Sequence, residues 1–272
     1  MDLGIKGKKA IVAGGSAGMG KAAAIELANA GVELFISARR EERLLAAANE
    51  ISTATGAKVT PIIADHATLA GRDALAAACP EPDIMVVTIS PPPLVWDCND
   101  ITESDWHDSI DSGLVGPVEL MKRFTGGMAK RGWGRFVNIA TVAAKEPLDM
   151  RMLSGPARSA LANYTAVVSR QMAKHNVAIN SVLPGMYATE GMIETVMPHK
   201  ALFAERFGFD PDKELDTETI HRSVLELFDI PTETLGQPED LAQFVAVLCS
   251  EAAKFTIGQN FVLDGGMSRS IF

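Results

Sequence analysis

The sequence predicts a doubly wound α/β fold, a parallel sheet with helices packed on both faces. Three observations carry that expectation. Short runs rich in Val and Ile alternate with longer stretches of helical period, the pattern of repeated βαβ units. The short runs are apolar at successive rather than alternate positions, so each strand is buried on both sides, as in a parallel sheet covered by helices. A glycine-rich turn directly follows the first run, where such folds reverse from strand to helix.

Taken in order, strands are expected at Ala10–Ala13, Glu33–Ser37, Lys58–Ile63, Ile84–Thr88, Phe136–Ala140, Ala178–Val182 and Asn260–Leu263. Between them lie apolar-periodic helices near 18–30, 41–55, 68–77, 103–129, 153–174 and 238–250. The stretch Glu190–Gly236 fits no strand and reads as two short helices joined by a charged segment around Asp210–Asp216. It is either a surface insertion or a substrate lid over a site. At roughly 150 residues per domain, 272 residues allow one domain or two. No repeat or Gly/Ser/Pro-rich linker divides the chain, so 1–272 is expected to fold as one domain with 190–236 as the lid insertion.

Composition narrows the function. The chain is 47% hydrophobic and 22% charged, which is globular and excludes disordered, collagen-like and coiled-coil classes. A net charge of −9 repels phosphate backbones and anionic lipid, so no nucleic-acid or membrane partner is expected. Cys79, Cys98 and Cys249 are odd in number and far apart, with no zinc spacing, so neither a disulfide framework nor a metal site is expected. No apolar run approaches the roughly 18 residues of a membrane span. The first residues imitate a signal peptide, but Gly14, Gly15, Gly18 and Gly20 would break its helix, so a cytoplasmic location is expected.

The segment KKAIVAGGSAGMGKAAA places a buried strand before Gly14, Ser16, Gly18, Met19 and Gly20, then starts a helix at once. Glycines here let the backbone approach a pyrophosphate, and the free N–H groups of the helix start supply positive partial charge. In NAD-specific sites an acidic residue about 20 positions on would bond the ribose 2′-hydroxyl. Here FISARREERL offers Arg39, with Arg40 beside it, which suits a 2′-phosphate and favours NADP(H) over the alternative NAD(H). Asp65, ending the third strand, stands at sheet height to accept from an adenine amino group, or else forms a local turn.

With the glycine turn and Asp65, the segments DIMVV (83–87), GWGRFVNIAT (132–141), NSVLPGMYAT (180–189), GQPEDLAQFVAVLCS (236–250) and IGQNFVLDGG (257–266) occur in an order that resembles the short-chain dehydrogenase/reductase family. The resemblance covers nearly the whole chain. It implies a Rossmann-like sheet of seven strands, a nicotinamide cofactor, a homotetramer or homodimer, and cofactor contacts from Pro184, Gly185 and Thr189. The family's catalytic pattern is altered at all four positions. Thr141 stands for the Ser, Ser154 for the Tyr, Arg158 for the Lys and Gly113 for the Asn, while the stretch after strand four reads Val87-Thr88-Ile89-Ser90 followed by three prolines. This is similar to a divergent branch with S-x-x-x-R in place of Y-x-x-x-K.

Carbonyl reduction needs a hydride donor at carbon and a proton source at the developing oxyanion. Ser154 lacks the tunable acidity of a tyrosine, and Arg158 holds charge without releasing its proton near neutrality. Thr141 offers a hydrogen bond to the oxyanion or caps the local backbone. Tyr187, in the loop expected over the nicotinamide, is the candidate replacement proton donor. Lys145 and a water chain held by Thr141, Ser154 and Arg158 are the alternatives. Met150, Met152, Met186, Met192 and Met197, with Pro91–Pro93, Leu94 and Trp96, suggest an apolar, adaptable pocket. The expected activity is interconversion of a small hydrophobic ketone and its secondary alcohol. A catalytically silent cofactor-binding scaffold and a non-redox lyase or isomerase are the alternatives.

Overall fold

The computed structural model of the chain describes residues 2–207 and 216–270. Seven strands form one parallel sheet: β1 (Lys9–Ala13), β2 (Glu33–Ala38), β3 (Val59–Ile63), β4 (Ile84–Thr88), β5 (Gly134–Ile139), β6 (Val177–Pro184) and β7 (Asn260–Leu263). Their spatial order is β3-β2-β1-β4-β5-β6-β7. The chain winds outward from β1 to one edge, returns, and builds the other half from β4. Helices α1 (Gly18–Asn29), α2 (Glu41–Thr55) and α3 (Leu69–Ala78) connect the first half. Residues of β5 and β6 are buried along their full length, as the continuous apolar runs require.

Side chains on alternate faces of the strands make two cores. Val12, Leu34, Ile36, Val86 and Val182 pack with α1 and α2, whereas Ile11, Met85, Val87, Phe136 and Ile179 pack on the opposite face. Because the strands are parallel, their carboxyl ends share one edge, and the loops after β1, β4, β5 and β6 converge there.

The helix expected over 103–129 is instead α4 (Glu103–Ile110), a π turn (Asp111–Val115) and α5 (Gly116–Arg131). Thr102 caps α4 in a reciprocal box with Asp105. Periodicity runs through the whole stretch, so apolar pattern alone cannot reveal the π turn. Its cause is tertiary. A Cβ on Gly113 would lie 2.9 Å from Arg158 Nη1 and 3.1 Å from Ala157 Cβ, on the helix α6 (Ser154–Met172). The wide turn and the missing side chain together let α6 approach. The hydroxyl of Ser109 also donates to the Leu153 carbonyl at 2.6 Å, tying α4 to the start of α6.

Between β6 and the helix α10 (Pro238–Leu248), the two helices expected in 190–236 are three among the described residues: α7 (Glu190–Val196), α8 (Lys200–Phe207) and α9 (Thr217–Phe228). Pro198 sits in the first turn of a 3-10 segment, Met197–His199, which separates α7 from α8. The charged segment expected around Asp210–Asp216 lies outside the described residues except for Asp216, which caps α9 by accepting from Thr219 N at 2.7 Å. Met192, Val196, Phe203, Ile220 and Val224 of these helices join Val142 and Met186 in a third apolar cluster.

Gly113→Ala is expected to overpack the α4–α6 contact at a cost of roughly 1–3 kcal/mol, seen as a lower thermal unfolding midpoint. Gly126→Ala on α5, where a new Cβ meets nothing within 4 Å, should instead raise stability by about 0.5–1 kcal/mol. Equal shifts for the two variants would contradict the packing described for Gly113.

Candidate functional site

The turn after β1 is shaped by steric necessity. Gly14 has φ +82°, and a Cβ on Gly20 would overlap the Gly14 carbonyl oxygen and lie 2.7 Å from Thr88 Oγ1. Only glycine lets the turn, α1 and the end of β4 come this close. No side chain caps the start of α1, so its first N–H groups face the cleft alongside Ser16 and Met19. Gly18, at φ +49°, lies opposite Thr189: its Cβ position is 3.5 Å from Thr189 Cγ2. The cradle and the loop after β6 therefore form two walls of one cleft. That geometry fits a dinucleotide's phosphates.

Pro184 ends β6 in register with Leu263. Gly185 N donates to Leu263 O at 2.9 Å, and a Cβ on Gly185 would lie 2.6 Å from Asp264 Cβ. Thr189 caps α7, its hydroxyl accepting from Met192 N at 3.1 Å.

At the far end of the cleft, Arg39 lies 4.0 Å from Asp65, an exposed pair. Asp65 also accepts from Ala67 N at 3.0 Å, so its carboxylate shapes the local turn as well. Arg40 reaches Glu194 at 3.5 Å, and Arg43 pairs with both Glu190 and Glu194. These pairs join the start of α2 to α7 across the cleft.

The altered catalytic positions meet where β4, β5 and α6 converge. Thr141 caps the 3-10 turn Val142–Ala144, its hydroxyl accepting from Ala143 N at 3.3 Å. That turn is held against α6: Ser159 donates to Ala144 O at 2.6 Å, and Gly155 faces Ala143 O with no room for a larger residue. Ser154 opens α6 and is buried, with Arg158 one helical turn on. Arg158 is 1% exposed. Its Nη2 donates to Ser90 O at 2.8 Å, while Nη1 is buried without a partner. Burial pushes its pKa down to about 10, and the nearby Arg151 charge pushes the same way. Arg158 therefore remains a cation at neutral pH, with donor capacity to spare.

Tyr187 is largely buried. Its ring packs on Gly236, where a Cβ would lie 2.7 Å from the tyrosine Cε1. Burial, then the charges of Asp240 and Asp264, push its phenol up to about 12. A phenol so raised is a weaker proton donor near neutrality than a free tyrosine. Lys145 follows the 3-10 turn as its C-cap residue. Of the expected pocket residues, Leu94, Met150, Met186 and Met192 line one cavity together, and Trp96 lines the adjoining one. Met197 is partly exposed outside them. Arg151, in the same lining, escaped the sequence reading; its only signal there is its place between Met150 and Met152. Among the described residues, no group of acidic, His and Cys side chains is arranged to hold a metal, and no helix is long and apolar enough to cross a membrane.

Known proteins with this architecture are numerous. The chain is 30% identical to the uncharacterized oxidoreductase YvaG of Bacillus subtilis (strain 168), over the full length of both. Among solved structures it superimposes on L-sorbose reductase from Gluconobacter frateurii, complexed with NADPH and L-sorbose, with a TM-score of 0.90, 27% identity and full coverage of both chains. It also matches YwfH, an NADPH-dependent reductase involved in bacilysin biosynthesis, with a TM-score of 0.81 and 25% identity, over 98% of this chain and 100% of that one. Residues 8–199 match the family described as short chain dehydrogenase, and with the seven-stranded parallel sheet and its glycine turn on the page, the chain belongs to the short-chain dehydrogenase/reductase family.

Proposed function

We propose that this protein is an NADP(H)-linked oxidoreductase that interconverts a hydrophobic ketone and its secondary alcohol. The observation that carries this reading is the glycine-lined, uncapped helix start opposite Thr189, together with a buried, under-bonded Arg158 cation that is electrostatically coupled to Arg151 in the lining of an apolar cavity. One structural relative complexed with NADPH and another described as NADPH-dependent support the choice of cofactor. Arg39, with its guanidinium free of any closer acid than the 4.0 Å contact to Asp65, would hold the 2′-phosphate. Gly14, Ser16, Gly18, Met19 and Gly20 would hold the pyrophosphate, and Pro184, Gly185 and Thr189 the nicotinamide end.

Bound NADPH supplies the hydride for the carbonyl carbon. The chain's own contribution is electrostatic and positional. The spare Nη1 of Arg158 bonds the ribose hydroxyls or the developing oxyanion. Ser154, one turn earlier, donates from its hydroxyl to the same oxygen, and Thr141 orders the turn that places α6. With the Tyr187 phenol raised, the proton arrives through Ser154 from water. The segment 190–236 acts as the lid of a single domain, and its ion pairs to Arg40 and Arg43 hold it over the cofactor cleft. Exposed Ile110 on α4 and Val167 on α6 suit association of copies as a homodimer or homotetramer through these helices.

A specific observation keeps the silent-scaffold alternative in view: Thr141 is engaged in capping, and the phenol of Tyr187 is packed on Gly236 with its pKa raised. Arg158→Ala separates the two. Under the proposal kcat/KM for ketone reduction falls about 100-fold or more while the protein still binds NADPH. A protein that binds NADPH but oxidises it with no carbonyl in a broad panel would overturn the oxidoreductase reading. For the cofactor, Arg39→Ala should raise the Kd of NADPH roughly tenfold and leave that of NADH nearly unchanged in fluorescence titrations. Equal losses for both cofactors would remove the 2′-phosphate role.

A further inference from the structure

The cavity beneath α7, α8 and α9 holds a charge that neither the fold nor the cofactor cleft explains. Its walls are apolar, including Leu94, Met150, Met192, Phe203, Val224 and Phe228, and Arg151 lies among them. The Nη1 of Arg151 is buried with no hydrogen-bond partner, and no ion pair joins its guanidinium to an acid among the described residues. The adjoining cavity shares Phe203 and Leu227 and contains Trp96, whose Nε1 is likewise buried without a partner. Burial alone pushes Arg151 down to about 10, with no acidic group offsetting it. Its charge also bears on Arg158, so two cations lie close together, and among the described residues no acid is paired with either. Such a desolvated, unpaired guanidinium is costly unless an anion discharges it.

The groups proposed to hold the cofactor phosphates, the turn after β1 and Arg39, do not line these cavities. A planar guanidinium set in apolar walls matches a carboxylate, which it bonds through two parallel N–H groups. We propose that Arg151 is the substrate anchor, and that the ketone or alcohol taken by this site is a carboxylate-bearing one whose apolar body lies against the methionines and aromatics beneath α7–α9. This rests on the oxidoreductase reading above, and narrows its hydrophobic substrate to an oxo or hydroxy acid. Trp96 Nε1 would donate to a further oxygen of the same ligand.

The test uses the NADPH-loaded protein with benzoylformate, benzoylpropionate and benzoylbutyrate, which space the carboxylate progressively from the ketone. Each is compared with its primary amide, a neutral isostere. The expected result is that at least one acid is reduced with kcat/KM roughly 30-fold or more above its amide. Arg151→Met should erase that preference through KM while leaving the amide unchanged, and Arg151→Lys should restore part of it. No preference for any acid in the wild-type protein, or equal loss for acid and amide in Arg151→Met, overturns the proposal even if Arg151→Met folds poorly, since the wild-type comparison needs no variant. Should no compound be turned over, calorimetry on the NADPH complex still decides: tight acid binding lost in Arg151→Met and partly kept in Arg151→Lys retains the anchor and discards the redox reading, whereas equal affinity for acids and amides discards the anchor.

Discussion

Room for a buried guanidinium at the carboxyl edge of the sheet is the constraint around which this site is built. Arg158 is almost wholly enclosed and makes a single hydrogen bond, to the Ser90 carbonyl. Three features of the chain meet at that one group. Gly113 withholds a side chain from the volume that Nη1 occupies, the π turn at Asp111–Val115 shifts the helix around it, and the rewritten loop after β4 brings a carbonyl within reach. Gly113 and Arg158 are therefore physically coupled, the space one withholds being the space the other fills.

The molecule's charges sort by depth. Over the surface the balance is acidic, at −9, and its arginines near the cleft entrance are paired: Arg39 with Asp65, Arg40 with Glu194, Arg43 with Glu190. Such exposed pairs are weak and screened, suited to holding a segment that must also release. Deeper in, no acid among the described residues pairs with Arg151 or Arg158, and burial lowers both to about 10. That still leaves each charged at neutral pH.

Much of this architecture is legible in the linear chain because it rests on local pattern. The expected strands coincide with the observed ones to within two residues at either end, since doubly buried runs of Val and Ile stand out wherever they fall. The glycine turn is equally readable, because Gly14 and Gly20 answer to contacts within one strand-turn-helix unit and the neighbouring strand end. Less visible is anything set by elements far apart in sequence. The break at Gly113 comes from α6 pressing on it, and the split between α7 and α8 turns on Pro198 in a stretch whose apolar spacing alone suggested fewer helices.

Amino-acid sequence by itself determined the fold class, the strand positions and the glycine turn after the first strand, because periodicity, glycine placement and motif order are properties of neighbours along the chain. Tertiary structure alone decided what those residues face. It packed Tyr187 onto Gly236, engaged Thr141 as a cap, and left donors on Arg158 and Arg151 buried without partners. Orientation and desolvation arise only when segments separated by tens of residues pack together, and they determine which side chains at this edge retain unused hydrogen-bonding capacity.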